Sequence, residues 1–255
     1  MRELVEVAPG VLVATSRVMA TTSTVLAGGG EALLVDPAWE PDELDALAAE
    51  LRRRSLRVIG GFATHAHEDH VLWHPAFGDA PRWASAATAQ RAAADRESLV
   101  AALGPGFPDE LAALVGRVEA MRDGIPRESV PRGFDPEAVV HDGHAPGHTA
   151  LWLPAQRVLL AGDMLSDVEL PLPFDPDDVA AYVRALDLLA HAAARAEVVV
   201  PGHGAPGADA PARLDADRRY LDDLLRRGRS DDPRRANPGM DEAYRRTVAI
   251  VRAMR

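Results

Sequence analysis

Thr64-His65-Ala66-His67-Glu68-Asp69-His70 directly follows the apolar run Val58-Ile59-Gly60-Gly61-Phe62-Ala63. Successive side chains of an extended chain alternate in direction, so His65 and His67 can converge on one cation. If the chain then turns, Asp69 and His70 face a second cation a short distance away. Nitrogen and oxygen donors of this kind suit zinc, with iron or manganese as alternatives. The plainer reading is a histidine-rich surface loop, and the rest of the chain decides between the two.

Moving outward, the spacing predicts short strands at Leu4–Val7, Val11–Thr15, Thr22–Ala27 and Ala32–Val35, with a turn at Gly28-Gly29-Gly30. Apolar residues at 44, 47, 48 and 51 predict a helix over Pro41–Arg54. Beyond the histidine cluster come a strand at Arg82–Ala84 and helices over Ala86–Leu103 and Asp109–Arg122. An irregular Pro/Gly/Arg stretch follows. Strands resume at Ala138–His141, Ala150–Leu153 and Arg157–Leu160. A helix over Asp177–Ala194, a strand at Glu197–Val200 and helices over Pro211–Arg227 and Asp241–Ala253 complete the chain. Strand after strand ends in a turn that carries a ligand-type residue: Asp36, the His65–His70 cluster, Pro146-Gly147-His148, Gly162-Asp163 and Pro201-Gly202-His203. Loops at one end of a sheet are where strands can hold reactive groups in fixed positions.

The chain has 255 residues, enough for one large domain. It contains no cysteine, so neither disulfides nor thiolate ligands are available. Apart from histidine its basic residues are all arginine, which removes lysine Schiff-base chemistry. A formal charge of −11 disfavours nucleic acid or an anionic membrane as a partner. Charges within Met1–Val7 interrupt what a signal peptide needs to be apolar, and no stretch is long enough to span a bilayer. The expectation is a cytoplasmic protein with a small-molecule substrate.

These motifs, in this order, resemble the metallo-β-lactamase superfamily over roughly residues 3–205. The resemblance implies an α/β (α+β) fold: an αββα four-layer sandwich of two mixed β-sheets flanked by helices. It implies one domain over residues 1–255, with a helical lid inserted at 86–135 and a C-terminal helical extension at 206–255. It also implies two Zn2+ ions, or Fe or Mn in their place. His65, His67 and His148 would hold one metal, and Asp69, His70 and His203 the other. Asp163 would bridge them, and Asp69 and Asp163 would serve catalysis. Asp36 and Thr149 would orient the ligands from behind.

Cysteine-ligated lactamases need a thiolate that this chain lacks, and lactamases as a group lack the bridging carboxylate. The ligand set looks instead like glyoxalase II, lactonases and related esterases or thioesterases. The expected activity is hydrolysis of a small ester, thioester or lactone by a metal-bridging hydroxide. Iron-dependent persulfide dioxygenases of the same superfamily are the alternative, with phosphodiesterases behind them. Candidates for the substrate pocket are Trp73, His74, Trp83, Phe107 and His144, with Trp39 beside another loop. Arg127 and Arg132 could clamp a substrate carboxylate. Arg218-Arg219, Arg226-Arg227 and Arg245-Arg246 read as solvated helix faces.

Overall fold

The computed structural model describes residues 3–254. Its strands form two sheets. The first holds β1 (Val5–Ala8), β2 (Val11–Thr15), β3 (Thr22–Gly28), β4 (Glu31–Val35), β5 (Arg57–Phe62), β6 (Arg82–Ala84) and β7 (Glu119–Ala120) in that spatial order. Pairing is antiparallel as far as β4 and parallel from β4 to β7. The second sheet holds β8 (Glu137–His141), β9 (His148–Leu153), β10 (Val158–Gly162) and β11 (Val198–Pro201), with only the last pair parallel.

Apolar residues on both faces of these strands explain the layering. Val11, Val13, Leu33 and Val35 point inward and meet Leu151, Leu153, Val158 and Leu160 of the opposite sheet. Their neighbours Leu12, Ala14, Ala32 and Leu34 point outward and are covered by Leu44, Leu47 and Leu51 of α1 (Pro41–Arg53). The outward residues of the second sheet, Ala150, Trp152, Leu159 and Ala161, lie under α5 (Val179–Arg195), α6 (Ala210–Arg227) and α7 (Met240–Ala253). A strand whose two faces are both apolar must be covered twice, so helices lie outside each sheet. Each large aliphatic side chain buried this way contributes about 1.5–3 kcal/mol. The result is two mixed sheets face to face with helices on both outer sides, as the resemblance implies.

The helix expected over Asp109–Arg122 ends early. Only α4 (Asp109–Ala112) is helical, and the chain turns into β7. Arg96 donates to the carbonyls of Ala112, Ala113 and Val115, and Gly116 takes φ +68° with its N–H on Val71 O. These partners replace the helical bonds that would have continued. The helix expected over Ala86–Leu103 divides at Asp95 into α2 (Ala86–Ala94) and α3 (Arg96–Ala102). Residues beyond 206 form α6, a 3₁₀ turn at Pro233–Ala236, and α7. Among the described residues, no helix is long and apolar enough to cross a membrane.

The ends of β4, β5, β10 and β11 share one rim. There the sheets are laced together by Thr149 N to Thr64 O (2.9 Å), Thr22 N to Gly202 O (2.7 Å) and Gly204 N to Ala20 O (2.9 Å). This rim carries the ligand-type residues.

Candidate metal centre

Two groups of donors face one another at the rim. His65, His67, His144 and Asp163 form the first; Asp69, His70 and His203 form the second. In the first, His65 Nε2 and His144 Nε2 lie 3.0 and 3.1 Å from His67 Nδ1. Asp163 Oδ2 lies 3.5 Å from His65 Nε2 and 3.4 Å from His144 Nε2. In the second, Asp69 Oδ2 is 3.2 Å from His70 Nε2 and 3.3 Å from His203 Nε2, and the two nitrogens are 3.4 Å apart. Asp163 closes this group too: Oδ1 is 3.2 Å from His70 Nε2 and Oδ2 is 3.2 Å from His203 Nε2. Four tetrahedral donors at zinc-like bond lengths stand about 3.3 Å from one another. The separations in both groups bracket that value.

Hydrogen bonds behind each ring decide which nitrogen is bare. His144 Nδ1–H donates to Leu172 O (3.0 Å), and His203 Nδ1–H to Met19 O (3.1 Å), because a carbonyl only accepts. His70 Nδ1–H donates to Asp36 Oδ2 at 2.9 Å. Thr64 Oγ1 spends its proton on Asp36 Oδ2 (2.7 Å), so it accepts from His65 Nδ1–H at 3.0 Å. His67 turns its Nε2 towards Asp175, 3.7 Å away. His65, His70, His144 and His203 thereby turn Nε2, and His67 turns Nδ1, towards the centre, the nitrogen each would offer a metal once that nitrogen carries no proton. Asp163 Oδ1 is buried and accepts no hydrogen bond. These donors fit divalent cations in both groups.

Electrostatics agree. Burial opposes charge on His70 and His203, yet Asp163 and Asp69 outweigh it, carrying His70 well above the usual imidazole range and His203 to about 10. Burial alone would raise Asp163; His203, His70 and His65 hold it well below the ordinary carboxylate value. Burial lowers His144 to about 4 and leaves it neutral. A cation bound here displaces protons, so uptake is pH-dependent.

Most expected site residues converge, with one exchange. His148, expected as a ligand, belongs to neither group. Its Nε2 accepts from Asp163 N–H (3.0 Å), and its Nδ1 lies 3.3 Å from His141 Nε2. His144, expected in the substrate pocket, takes the third histidine position of the first group. Asp36 bonds both Thr64 and His70. Thr149 does not reach a ligand side chain; its hydroxyl holds Gly147 O. The hydroxyl that props a ligand is Thr64, and Thr21 Oγ1 donates to Asp69 Oδ2 (3.0 Å). Gly202 leaves room for the carboxylate: a Cβ there would lie 1.9 Å from Asp163 Oδ1.

The remaining pocket candidates lie elsewhere. Trp73 is buried against Phe77, and His74 caps a 3₁₀ turn and faces Asp45. Trp83 bonds Ser129, and Phe107 packs on the α1 side of the first sheet. The cleft over the centre, about 320 Å³, is walled instead by Met19, Trp39, Glu68, the 169–175 strap and Arg246 of α7. No residue of 86–135 lines it; Arg91 of α2 reaches its edge through Asp175 (3.1 Å). Arg246, expected in solvent, stands 4.2 Å over the Phe174 ring and bonds Asp177 at 2.8 Å. Arg127 donates to Val130 O, and neither it nor Arg132 reaches the cleft. The strap and Arg246 carry no signal in the sequence because no spacing ties them to the histidine motif.

The family profile described as "Metallo-beta-lactamase superfamily" matches residues 16–203. A metallo-beta-lactamase family protein from Thermus thermophilus is 24% identical, with a TM-score of 0.67 over 88% of this chain and 83% of its own. A beta-lactamase domain protein from Burkholderia ambifaria is 22% identical, with a TM-score of 0.67 over 88% of this chain and 76% of its own. TMB-1 is 19% identical, with a TM-score of 0.62 over 87% of this chain and 97% of its own. At these identities the likeness concerns the fold.

Proposed function

The chain belongs to the metallo-beta-lactamase superfamily, and from that premise we propose that it is a binuclear zinc hydrolase of a small ester, thioester or lactone. One observation carries the reading. The Asp163 carboxylate lies between the two donor groups, within 3.2–3.5 Å of nitrogens belonging to both. Paired divalent cations held there would supply hydroxide at neutral pH and polarise a carbonyl.

The chain's own residues do the rest. His65, His67 and His144 would hold one cation and Asp69, His70 and His203 the other, with the Asp163 carboxylate within reach of both. Asp36, Thr64, Leu172 O and Met19 O keep the rings in their tautomers. Trp39, Leu172 and Phe174 give the cleft apolar walls, and about 320 Å³ suits a small ligand. Glu68, Glu169 and Asp175 at the cleft repel a phosphodiester, which counts against nuclease chemistry.

Elemental mass spectrometry of protein purified without added metal tests the reading. The expected result is two zincs per chain, with turnover in a screen of lactones, esters and thioesters. Asp163→Ala is expected to lose both turnover and metal. One iron per chain with oxygen consumption on a persulfide overturns the assignment in favour of the dioxygenase class.

A further inference from the structure

Glu169 is a charged group in the cleft that takes no part in holding metal. It lines the same cavity as Asp69, Asp163 and His203 and belongs to neither donor group. Among the described residues, no side chain bonds or pairs with its carboxylate. The nearby cation is committed elsewhere: Arg246 bonds Asp177 and Phe174 O. Asp175, the next acid along the strap, is paired with Arg91.

The backbone that carries Glu169 is fixed. Ser166 Oγ accepts from the N–H groups of Val168 (3.0 Å) and Glu169 (2.9 Å) and donates to His203 O at 2.7 Å. Asn237 holds Val168 O at 2.7 Å, and the N–H of Leu170 meets Met240 Sδ. A partly buried carboxylate with no side-chain hydrogen-bond partner carries a desolvation cost that the imidazoles of His203 and His70 offset only in part. Burial disfavours its charged form, with a pKa raised to about 7. The aromatic faces of Trp39 and Phe174 border the same space, and Phe174 already takes one cation, the Arg246 guanidinium.

We propose that Glu169 is a specificity-determining residue that receives an ammonium group of the substrate, so that this chain acts on esters, thioesters or lactones bearing an amine. The assignment rests on the hydrolase reading for the reaction, while the recognition it describes is independent of turnover. A bound ammonium supplies the missing hydrogen-bond donor and opposite charge. An uncharged substrate of the same shape leaves the carboxylate unpaired, and a site built this way discriminates strongly against it.

The test uses zinc-loaded, full-length protein and two probe series. Calorimetry compares ω-amino carboxylates from 4-aminobutyrate to 6-aminohexanoate with butyrate to hexanoate, as product mimics. Kinetics compare the matching ω-amino esters with the plain alkyl esters. The expected preference for the amine is about 10- to 100-fold in both, the range of a charge-assisted hydrogen bond. Glu169→Gln, which keeps size and shape, is expected to lose that preference while retaining its zinc. Equal binding of amine and alkyl probes by the native protein, or an unchanged preference in Glu169→Gln, overturns the proposal. Amine-selective binding without turnover of any ester supports Glu169 and sinks the hydrolase reading. Turnover without amine preference does the reverse.

Discussion

A histidine's fitness as a ligand is set here by what holds its far edge. His144 and His148 lie four residues apart on one turn, both buried and both near Asp163. Leu172 O fixes the proton of His144 and leaves Nε2 bare; Asp163 N–H and His141 occupy both nitrogens of His148. His144→Ala is therefore expected to remove metal from the first group, lowering the zinc count per chain. His148→Ala is expected to keep both metals but bind them about 10–100-fold more weakly, the usual effect of losing an outer partner. Metal titration of the two variants separates these outcomes; an undiminished zinc content in His144→Ala contradicts the ligand set. Read from the sequence, the ligand role falls to His148 and the pocket to His144, because the partner that orients His144, Leu172 O, arrives from 28 positions away. His141 makes a second prediction at this scale. Burial depresses its pKa to about 4. Since the fold favours the neutral ring, its contribution is complete above about pH 6.5 and is lost as pH falls through 4. Relative to His141→Gln, the metal-free native protein should lose about 3 kcal/mol between those limits. Urea unfolding across that range reads the difference, and parallel curves for the two proteins would refute it.

Elements show where a local pattern suffices and where it does not. Strands with apolar residues on both faces and helices with a 3.6-residue stripe appear where their spacing predicts them, because one element's own periodicity states what it must bury. The Asp109–Arg122 helix fails because Arg96, from another helix, takes its carbonyls, and no local pattern registers a distant partner. The strap after Asp163 is a similar case. Arg234 reaches from the 3₁₀ turn to Ser166 O (3.0 Å) and to Asp217 of α6 (2.6 Å). Asp217 in turn accepts from Leu165 N–H. Both members of the ion pair are buried, at 8% and 1% exposure. Removing one partner strands a buried charge, so Arg234→Met is expected to destabilise the protein by about 3–5 kcal/mol. Replacing both, as Arg234→Met with Asp217→Leu, is expected to recover most of that loss. Denaturant midpoints for the two single variants and the double variant measure it; additive losses would mean that the residues do not act as a pair.

For the whole molecule, the question is whether the last fifty residues are an appendage or part of the sandwich body. The family profile stops at His203, which suggests a complete unit before α6. The packing contradicts that division. Tyr220, Leu221 and Leu224 of α6 and Val251 of α7 lie in the same cluster as Trp152 and Leu159 of the second sheet. Asn237 and Met240 hold the strap that carries Glu169, and Arg246 stands at the mouth of the cleft. Ending the chain at residue 205 would expose the outer face of α5 and free the polar bonds of residues 165–170. Each large aliphatic or aromatic side chain lost from that cluster withdraws about 1.5–3 kcal/mol, and several are lost together. For these four the sum, about 6–12 kcal/mol, is comparable to the whole stability of an ordinary domain, about 5–15 kcal/mol. The truncated chain is therefore expected to show no cooperative thermal transition, with or without zinc. A milder cut after residue 239 removes only α7. It should leave a folded protein with a lowered melting temperature, and with amine selectivity altered because Arg246 and Met240 are gone. Calorimetric melting of both truncations tests the claim, and a cooperative melt in the 1–205 chain would show that the sandwich stands without the helices.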